Sequence, residues 1–494
     1  MKALSPILLS TVALASALVA PASVAAAQAS GLVACRLEGV AHDALCGRVQ
    51  RALDPGQPQG QVIEVHFAVL PALARNPKPD PVFFFAGGPG QSAIEMAGSI
   101  GRLLARFGNR RDVVLVDQRG TGRSAPLRCA ESPPTQPLAL AADPQWQTAR
   151  LTECRRQLQA MPHGDLRHYS TWLAVQDVEA VRLALGAGPV NVVAASYGTR
   201  VGLEYMRQFP AAVRRAVLDG VAPADMALPT SAASDNQAVL DVLLASCEAD
   251  DACRARHPAL RRNWQRLLAD LPREVSVSHP VTGRRETFVA SRELVLALIR
   301  APLYSPALAA AVPHALSEAA EDRFEALFGL ASAFAPGRRG RIAEGMHFSV
   351  VCSEDLAGRR PGQQLPPEPA GDFGDNFAVQ YARVCADWPR AEVPAAFYTL
   401  PPARSATLLM SGGSDPATPP HHAQGVAAAL GPRARHVVVA QAGHGVMALP
   451  CMRDVVFRFI EASSDEAALK VDADCAAKLP QARAFWPPAA GTAP

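Results

Sequence analysis

Residues 190–202 read Val-Asn-Val-Val-Ala-Ala-Ser-Tyr-Gly-Thr-Arg-Val-Gly, and no other stretch constrains the fold so tightly. A β-branched run ends at Ser196, and a helix-compatible segment over 199–209 follows without a spacer. A chain that passes from strand to helix at one residue must turn very sharply there. The small residues Ala194 and Gly198 let the two backbones come close. Such a turn lifts the serine hydroxyl out of the sheet and presents it to a pocket as a nucleophile. A plainer arrangement, in which Ser196 only caps the helix, fits the same residues. Ala194 also stands where the Gly-x-Ser-x-Gly pattern has its first glycine, so the rest of the chain must decide.

Short apolar runs alternate with helical segments on both sides of this turn. Strands are predicted over 61–70, 81–86, 112–116, 190–195 and 213–218. A helix capped at Ser170-Thr171 is predicted to run to Leu185, with Trp172, Val175, Val178, Val181 and Leu185 at helical spacing. This alternation predicts an α/β fold, a mostly parallel sheet covered by helices on both faces. It stops near Pro223. Helical periodicity then dominates (236–247, 260–271, 292–299), broken by Pro-rich links and one hairpin over 275–289. Strand, helix, strand and helix resume at 406–410, 422–430, 436–440 and 452–460. The sequence thus predicts a leader over 1–27, a core over 28–222, a large mainly helical cap inserted over 223–402, the completion of the core over 403–463, and a tail over 464–494. No internal repeat is present.

Composition bounds the rest. A chain of 494 residues buries a large core, and its net charge of +3 is too small and dispersed for a nucleic-acid partner. Lys2, an apolar centre over 7–19 and the small residues Ala25-Ala26-Ala27 have the order of a secretory signal peptide, with cleavage expected near Ala27. The alternative is an uncleaved amphipathic anchor. The apolar centre is short for a membrane span, and no later segment supplies the ~20 apolar residues that one needs. Ten cysteines agree with export. Sequence leaves their pairing open, and nearest-neighbour pairing is the simplest scheme: Cys35 with Cys46, Cys129 with Cys154, Cys247 with Cys253, Cys352 with Cys385, and Cys451 with Cys475. No Cys-x-x-Cys or His-rich spacing points to zinc.

A serine nucleophile needs a base, because its hydroxyl is barely ionised near neutral pH, and the base needs a carboxylate to orient it. In a sheet of this kind the chain order is serine, acid, histidine, the last two on loops after later strands. Residues 408–416, Leu-Leu-Met-Ser-Gly-Gly-Ser-Asp-Pro, form a buried run that opens into a Gly-rich turn ending at Asp415. Residues 436–445 form the next run and open into His444 between two glycines. Ser196, Asp415 and His444 are therefore the predicted triad, with Asp219 a second candidate for the acid. His347, His421 and His422 lack this placement and are expected to be structural or solvent-facing. Acyl transfer also needs donors for a developing oxyanion. The run Phe83-Phe84-Phe85 opens into Ala86-Gly87-Gly88-Pro89-Gly90, so the N–H groups of Gly88 and Tyr197 are the expected pair. The loop has neither the Lys-Ser/Thr of a phosphate-binding loop nor dinucleotide-binding spacing, which argues against a phosphate-binding role.

Gly87-Gly88-Pro89-Gly90, the string Asp117-Gln118-Arg119-Gly120-Thr121-Gly122-Arg123-Ser124, Ala195-Ser196-Tyr197-Gly198-Thr199 and the loops at Asp415 and His444 resemble the α/β-hydrolases related to proline iminopeptidase. The likeness is strongest to the exported tripeptidyl-aminopeptidase-like branch. It covers most of the mature chain in motif order and is weakest across the cap. It implies the α/β-hydrolase fold and serine exopeptidase activity on peptides with a free N-terminus, with no cofactor. It also carries over Ser196, Asp415 and His444 as the triad and Gly88 with Tyr197 as the oxyanion donors. Ala86 departs from the histidine usual at the start of the glycine loop, and Ala194 from the usual elbow glycine. An aminopeptidase must bind a charged α-amine, and Glu354 or Asp355, late in the insertion and next to Cys352, are the proposed anchors, with Glu204 a weaker candidate. Two other readings stay open: an esterase or acyl hydrolase using the same triad, and an inactive secreted binding protein. Substrate choice, oligomeric state and the final compartment are not set by the sequence.

Overall fold

The computed structural model describes residues 31–333, 340–356 and 371–485. The predicted leader over 1–27 lies outside them. Eleven strands occur among the described residues: β1 (Val33–Cys35), β2 (Ala44–Ala52), β3 (Val62–Leu70), β4 (Val82–Phe85), β5 (Val113–Val116), β6 (Val190–Ala195), β7 (Val213–Asp219), β8 (Arg273–Ser278), β9 (Arg285–Ala290), β10 (Ala406–Gly412) and β11 (Ala434–Val439). Nine of them build one sheet in the order β1-β2-β3-β5-β4-β6-β7-β10-β11. The pairs from β5 across to β11 are parallel, while β1, β2, β3 and β5 pair antiparallel. This is the α/β-hydrolase fold, a mostly parallel sheet with helices on both faces.

The central strands are short and buried on both sides, so they read as continuous apolar runs rather than alternating ones. In β4, Val82 and Phe84 pack into one core and Phe83 and Phe85 into the opposite one. In β6, Val192 and Ala194 share the core of Phe83 and Phe85, and Val193 shares that of Val82 and Phe84. The antiparallel strands β1 and β2 were not foreseen. Their charged residues and glycine, as in Ala44–Ala52 (ALCGRVQRA), blur the two-residue period.

Between β7 and β10 the chain leaves the sheet and forms a mainly helical body with its own core, centred on Leu240, Trp264, Leu267, Ile299 and Phe324. The hairpin β8–β9 belongs to it. Leu138, from the segment that precedes β6, packs into the same core. The five disulfides join Cys35 to Cys46, Cys129 to Cys154, Cys247 to Cys253, Cys352 to Cys385 and Cys451 to Cys475. Among the described residues no helix is long and apolar enough to cross a membrane.

Candidate active site

Parallel strands deliver their following loops to one edge of the sheet, and ligands of open α/β sheets bind outside that carboxyl edge. The glycine loop follows β4, Ser196 follows β6, Asp219 ends β7, Asp415 follows β10 and His444 follows β11. All five reach the same edge, because those strands are neighbours in the sheet.

Ser196 has φ 56° and ψ −129°, a backbone conformation that costs a non-glycine residue energy and persists only where the surroundings impose it. They do so by direct bonds. Its N–H donates to the Asp219 carbonyl at 2.8 Å, and its own carbonyl accepts from Thr199 N at 2.8 Å and Thr199 Oγ1 at 2.6 Å. The helix Tyr197–Gln208 starts at the next residue and crosses β4 so closely that a Cβ on Gly198 would lie 2.2 Å from the Phe85 carbonyl oxygen. A Cβ on Gly202 would be 3.5 Å from the Ala194 Cβ, an ordinary contact. The helix glycines thus supply the close approach, and Ala194 fits without its missing glycine.

The Asp415 carboxylate is fully buried and held from three directions. Its Oδ1 accepts from Ala417 N at 2.8 Å and Thr418 N at 2.9 Å, and its Oδ2 accepts from Thr418 Oγ1 at 2.8 Å. The same Oδ2 lies 2.8 Å from His444 Nδ1. Burial alone would raise the Asp415 carboxyl, but His444 and these donors hold it below the usual carboxylate range. Burial would likewise lower the His444 imidazole, and the Asp415 carboxylate outweighs it, so the ring sits above the ordinary histidine value. With Nδ1–H pointing to Asp415, Nε2 is the free ring nitrogen.

The ring is fixed by more than its acid. His444 N donates to the Tyr304 carbonyl at 3.0 Å, and the Tyr304 and His444 rings meet edge to face with centroids 5.3 Å apart. A Cβ on Gly220 would sit 3.3 Å from His444 Cε1. Gly220 directly follows Asp219, whose carbonyl holds Ser196, so neighbouring residues touch the ring and hold the serine. Asp219, the second candidate for the acid, has a different place. Its carboxylate accepts from Val446 N at 3.0 Å and Met447 N at 2.8 Å and so anchors the turn just beyond His444. Burial pushes this carboxyl up to about 6.

The glycine loop packs directly on the turn at Ser196. A Cβ on Gly87 would be 3.2 Å from Ser196 Cβ, so a side chain there would intrude on the serine. Tyr197, in the first turn of its helix, carries an N–H with no partner inside the helix, as helix geometry requires. The string 117–124 braces this arrangement from below. Asp117 accepts from Ser92 Oγ at 2.7 Å and Ile94 N at 3.1 Å, just past the glycine loop. Arg119 forms a two-point pair with Asp177 at 2.7 and 2.9 Å, both side chains fully buried.

His347, expected to be structural or solvent-facing, is a buried support of the glycine loop. His347 Nδ1 is 3.2 Å from the Pro89 carbonyl and its Nε2 is 2.7 Å from the Tyr381 hydroxyl. Burial pushes this imidazole down to about 4, so it is neutral, with Nδ1–H donating to the loop and Nε2 accepting from tyrosine. Ala343 N also donates to the Gly90 carbonyl at 2.9 Å, so the segment 340–347 of the insertion is stitched to the glycine loop. An isolated histidine in a helix gives no sequence signal for such a role.

The amine-anchor expectation is corrected. Glu354 and Asp355 are 1% and 5% exposed, in a short π-helix, Val351–Asp355, and both carboxylates face Arg200 of the nucleophile helix. Arg200 Nη1 donates to Asp355 at 2.7 Å and to Glu354 at 3.2 Å. Thr171 donates to Glu354 from its N at 2.6 Å and its Oγ1 at 3.0 Å, and the Tyr197 hydroxyl lies 2.6 Å from that Oγ1. Burial raises Glu354 to about 7 despite these partners. A carboxylate enclosed in this way and already paired has no face for a substrate amine. Glu204 is likewise buried and paired with Arg207 at 2.7 Å.

Comparison with known proteins agrees with the geometry. Residues 80–279 match a family model described as alpha/beta hydrolase fold, and residues 368–475 match one described as TAP-like protein. The serine protease Hip1 of Mycobacterium tuberculosis is 27% identical over 409 residues, covering 76% of this chain and 77% of its own. The tripeptidyl aminopeptidase of Streptomyces lividans is 30% identical over 189 residues, 36% of this chain and 35% of its own. The proline iminopeptidase of Neisseria meningitidis serogroup B is 30% identical over 162 residues, 33% of this chain and 38% of its own.

Proposed function

We propose that this chain, a serine hydrolase belonging to the α/β-hydrolase peptidase family, is an exported exopeptidase that cleaves peptides near a free N-terminus. The observation that carries the chemistry is Ser196 in a forced positive-φ turn, at the same sheet edge as a histidine whose Nδ1 is bound by a buried aspartate. The substrate class rests on the likeness to peptidases along the chain.

In this mechanism His444 Nε2 takes the Ser196 Oγ proton as Oγ adds to the scissile carbonyl carbon. The charge that develops on the carbonyl oxygen is met by the N–H groups of Gly88 and Tyr197. Collapse of the adduct breaks the C–N bond, and His444 returns the proton to the leaving amine. A water, deprotonated by the same histidine, then releases the N-terminal fragment from Ser196. Asp415 keeps the proton on Nδ1 and stabilises the imidazolium. Each role is performed by this chain's own side chains and N–H groups.

The insertion over 223–402 serves as the cap that selects the substrate. It holds a cavity of ≈ 450 Å³ lined in part by Asn236, Arg300, Phe373 and Phe377, and Asn236 Oδ1 is a buried acceptor with no partner among the described residues. Export accounts for five disulfides with no free cysteine among the described residues.

The test is to incubate the mature protein with amino-acyl and tripeptidyl chromogenic amides, their N-blocked forms and a simple ester. Cleavage of free but not blocked amides is expected, and Ser196→Ala should lower the rate by about 10⁴-fold or more. Turnover of the ester alone would replace the peptidase with an acyl hydrolase. Inertness together with no fluorophosphonate labelling of Ser196 would leave a binding protein.

A further inference from the structure

Two histidines that the proposed mechanism does not use converge on one buried acid. Asp235 lies on the long helix Leu228–Ala249 that opens the insertion, and His421 and His422 lie in the first turn of the core helix Pro420–Leu430. His422 Nε2 is 3.0 Å from Asp235 Oδ2, and His421 Nε2 is 3.5 Å from Asp235 Oδ1. One donor atom from each residue falls within 4.8 Å of the others. The imidazole rings stand with centroids 4.0 Å apart, so both present a nitrogen to the same side.

From this we propose a binding site for one divalent transition-metal ion of the zinc class, with Asp235, His421 and His422 as ligands. Four ligands 2.0–2.1 Å from a tetrahedral zinc ion are about 3.3 Å from one another, and the two nitrogen–carboxylate separations bracket that value. Two imidazoles with one carboxylate favour zinc, nickel or copper over calcium or magnesium, which take oxygen ligands. The Asp235 side chain is 3% exposed, so its position is fixed, while the His421 side chain is 60% exposed and leaves the ion an open side for water. Ser231, one turn earlier on the same helix face, has a buried Oγ without a protein partner among the described residues. It is available to a metal-bound water.

The placement gives the ion a task. Asp235 belongs to the insertion, and His421 follows the acid loop of Asp415, Ala417 and Thr418 by a few residues. A bound ion would fasten the insertion to the segment that sets the triad acid. The stability gained would grow with free metal concentration, as for any ligand that binds only the folded chain.

The experiment uses tag-free, chelator-treated mature protein, titrated with Zn²⁺ by calorimetry and with Co²⁺ by visible absorption. One equivalent is expected to bind, with a Co²⁺ spectrum of low coordination number and a thermal midpoint that rises with Zn²⁺. The His421→Gln/His422→Gln protein should bind about 100-fold more weakly or worse and lose the midpoint shift. His421→Gln alone alters only an exposed ring, so it keeps the fold and should still weaken binding and change the Co²⁺ spectrum. Equal binding by wild type and both variants would place the metal elsewhere, as at the His444–Asp415 pair, and overturn the proposal. So would no uptake by the wild type at millimolar Zn²⁺.

Discussion

Replacing Glu354 by glutamine separates a carboxylate that shapes the site from one that binds substrate. Burial holds the Glu354 carboxyl at about 7, against 4.5 for an unperturbed glutamate. The gap of about 2.5 units corresponds to about 3 kcal/mol. Its sign follows from proton binding. The folded chain holds this proton more tightly than the unfolded chain, so the group favours folding below pH 4.5, and that contribution fades as pH rises and is gone above pH 7. Glutamine does not titrate, and its carbonyl can still accept from Thr171 N. Whatever the variant's absolute stability, it should therefore gain about 3 kcal/mol relative to wild type between pH 4.5 and 8. Asp219 and the other titrating groups act on both proteins and cancel in the difference. Denaturant unfolding with disulfides intact, followed by tryptophan fluorescence at several pH values, reads the effect directly. Parallel stability–pH curves would refute the reasoning. Parallel curves with a raised KM for free-amine peptides alone would return Glu354 to the amine-anchor role.

Three further outcomes follow from the same geometry. Gly87→Ala should fold normally yet lose about 10²-fold or more in kcat, since its methyl would press on Ser196 beside the oxyanion donors; unchanged turnover of a chromogenic amide would remove the glycine loop from the mechanism. His444 must be neutral to act as base, and its value lies above the ordinary 6.5, so kcat/KM should rise with pH through a midpoint above 6.5. In Asp415→Asn the raising charge is gone and burial remains, so the residual activity should show that midpoint at lower pH. His347→Phe keeps the ring packing but loses the bond to the Pro89 carbonyl; kcat should fall by about tenfold with little change in KM, the pattern of a residue that positions the oxyanion loop. A change confined to KM would argue against that role.

The sheet and the loops that carry Ser196, Asp415 and His444 were legible because they rest on short-range patterns. Residues 83–85 are apolar without interruption, and 190–195 and 406–412 are broken only by Asn191, Thr407 and Ser411, because both sheet faces are covered; all three lead into glycine-containing turns. The nearest-neighbour scheme for the cysteines matches the five bridges. What escaped depends on contacts between distant residues. Thr418 Oγ1 reaches both Asp415 and His444, at 2.8 and 3.2 Å, yet in sequence it is one threonine in a proline-rich loop. The pair Glu354-Asp355 read as a candidate amine anchor because nothing nearby in sequence announces Arg200, more than 150 residues earlier. Asp219 read as a possible acid because it ends a strand; only its two bonds to Val446 and Met447 reveal an anchor for the neighbouring loop.

Arg200 has one more consequence. Its guanidinium donates to the carbonyls of Pro223 and Met226, where the chain leaves the sheet, and to Glu354 and Asp355, well along its way back. Departure and return are clasped by a single side chain standing one turn beyond the nucleophile. Specificity in such a scaffold cannot be exchanged as a free module. A transplanted insertion would have to bring its own acid pair to the same spot, or leave a buried cation uncompensated at a cost of about 3–5 kcal/mol. If the insertion selects the substrate as proposed, variation that preserves the clasp and alters only the walls of the cavity at Asn236, Phe373 and Phe377 is the open route by which this catalyst can acquire a new diet.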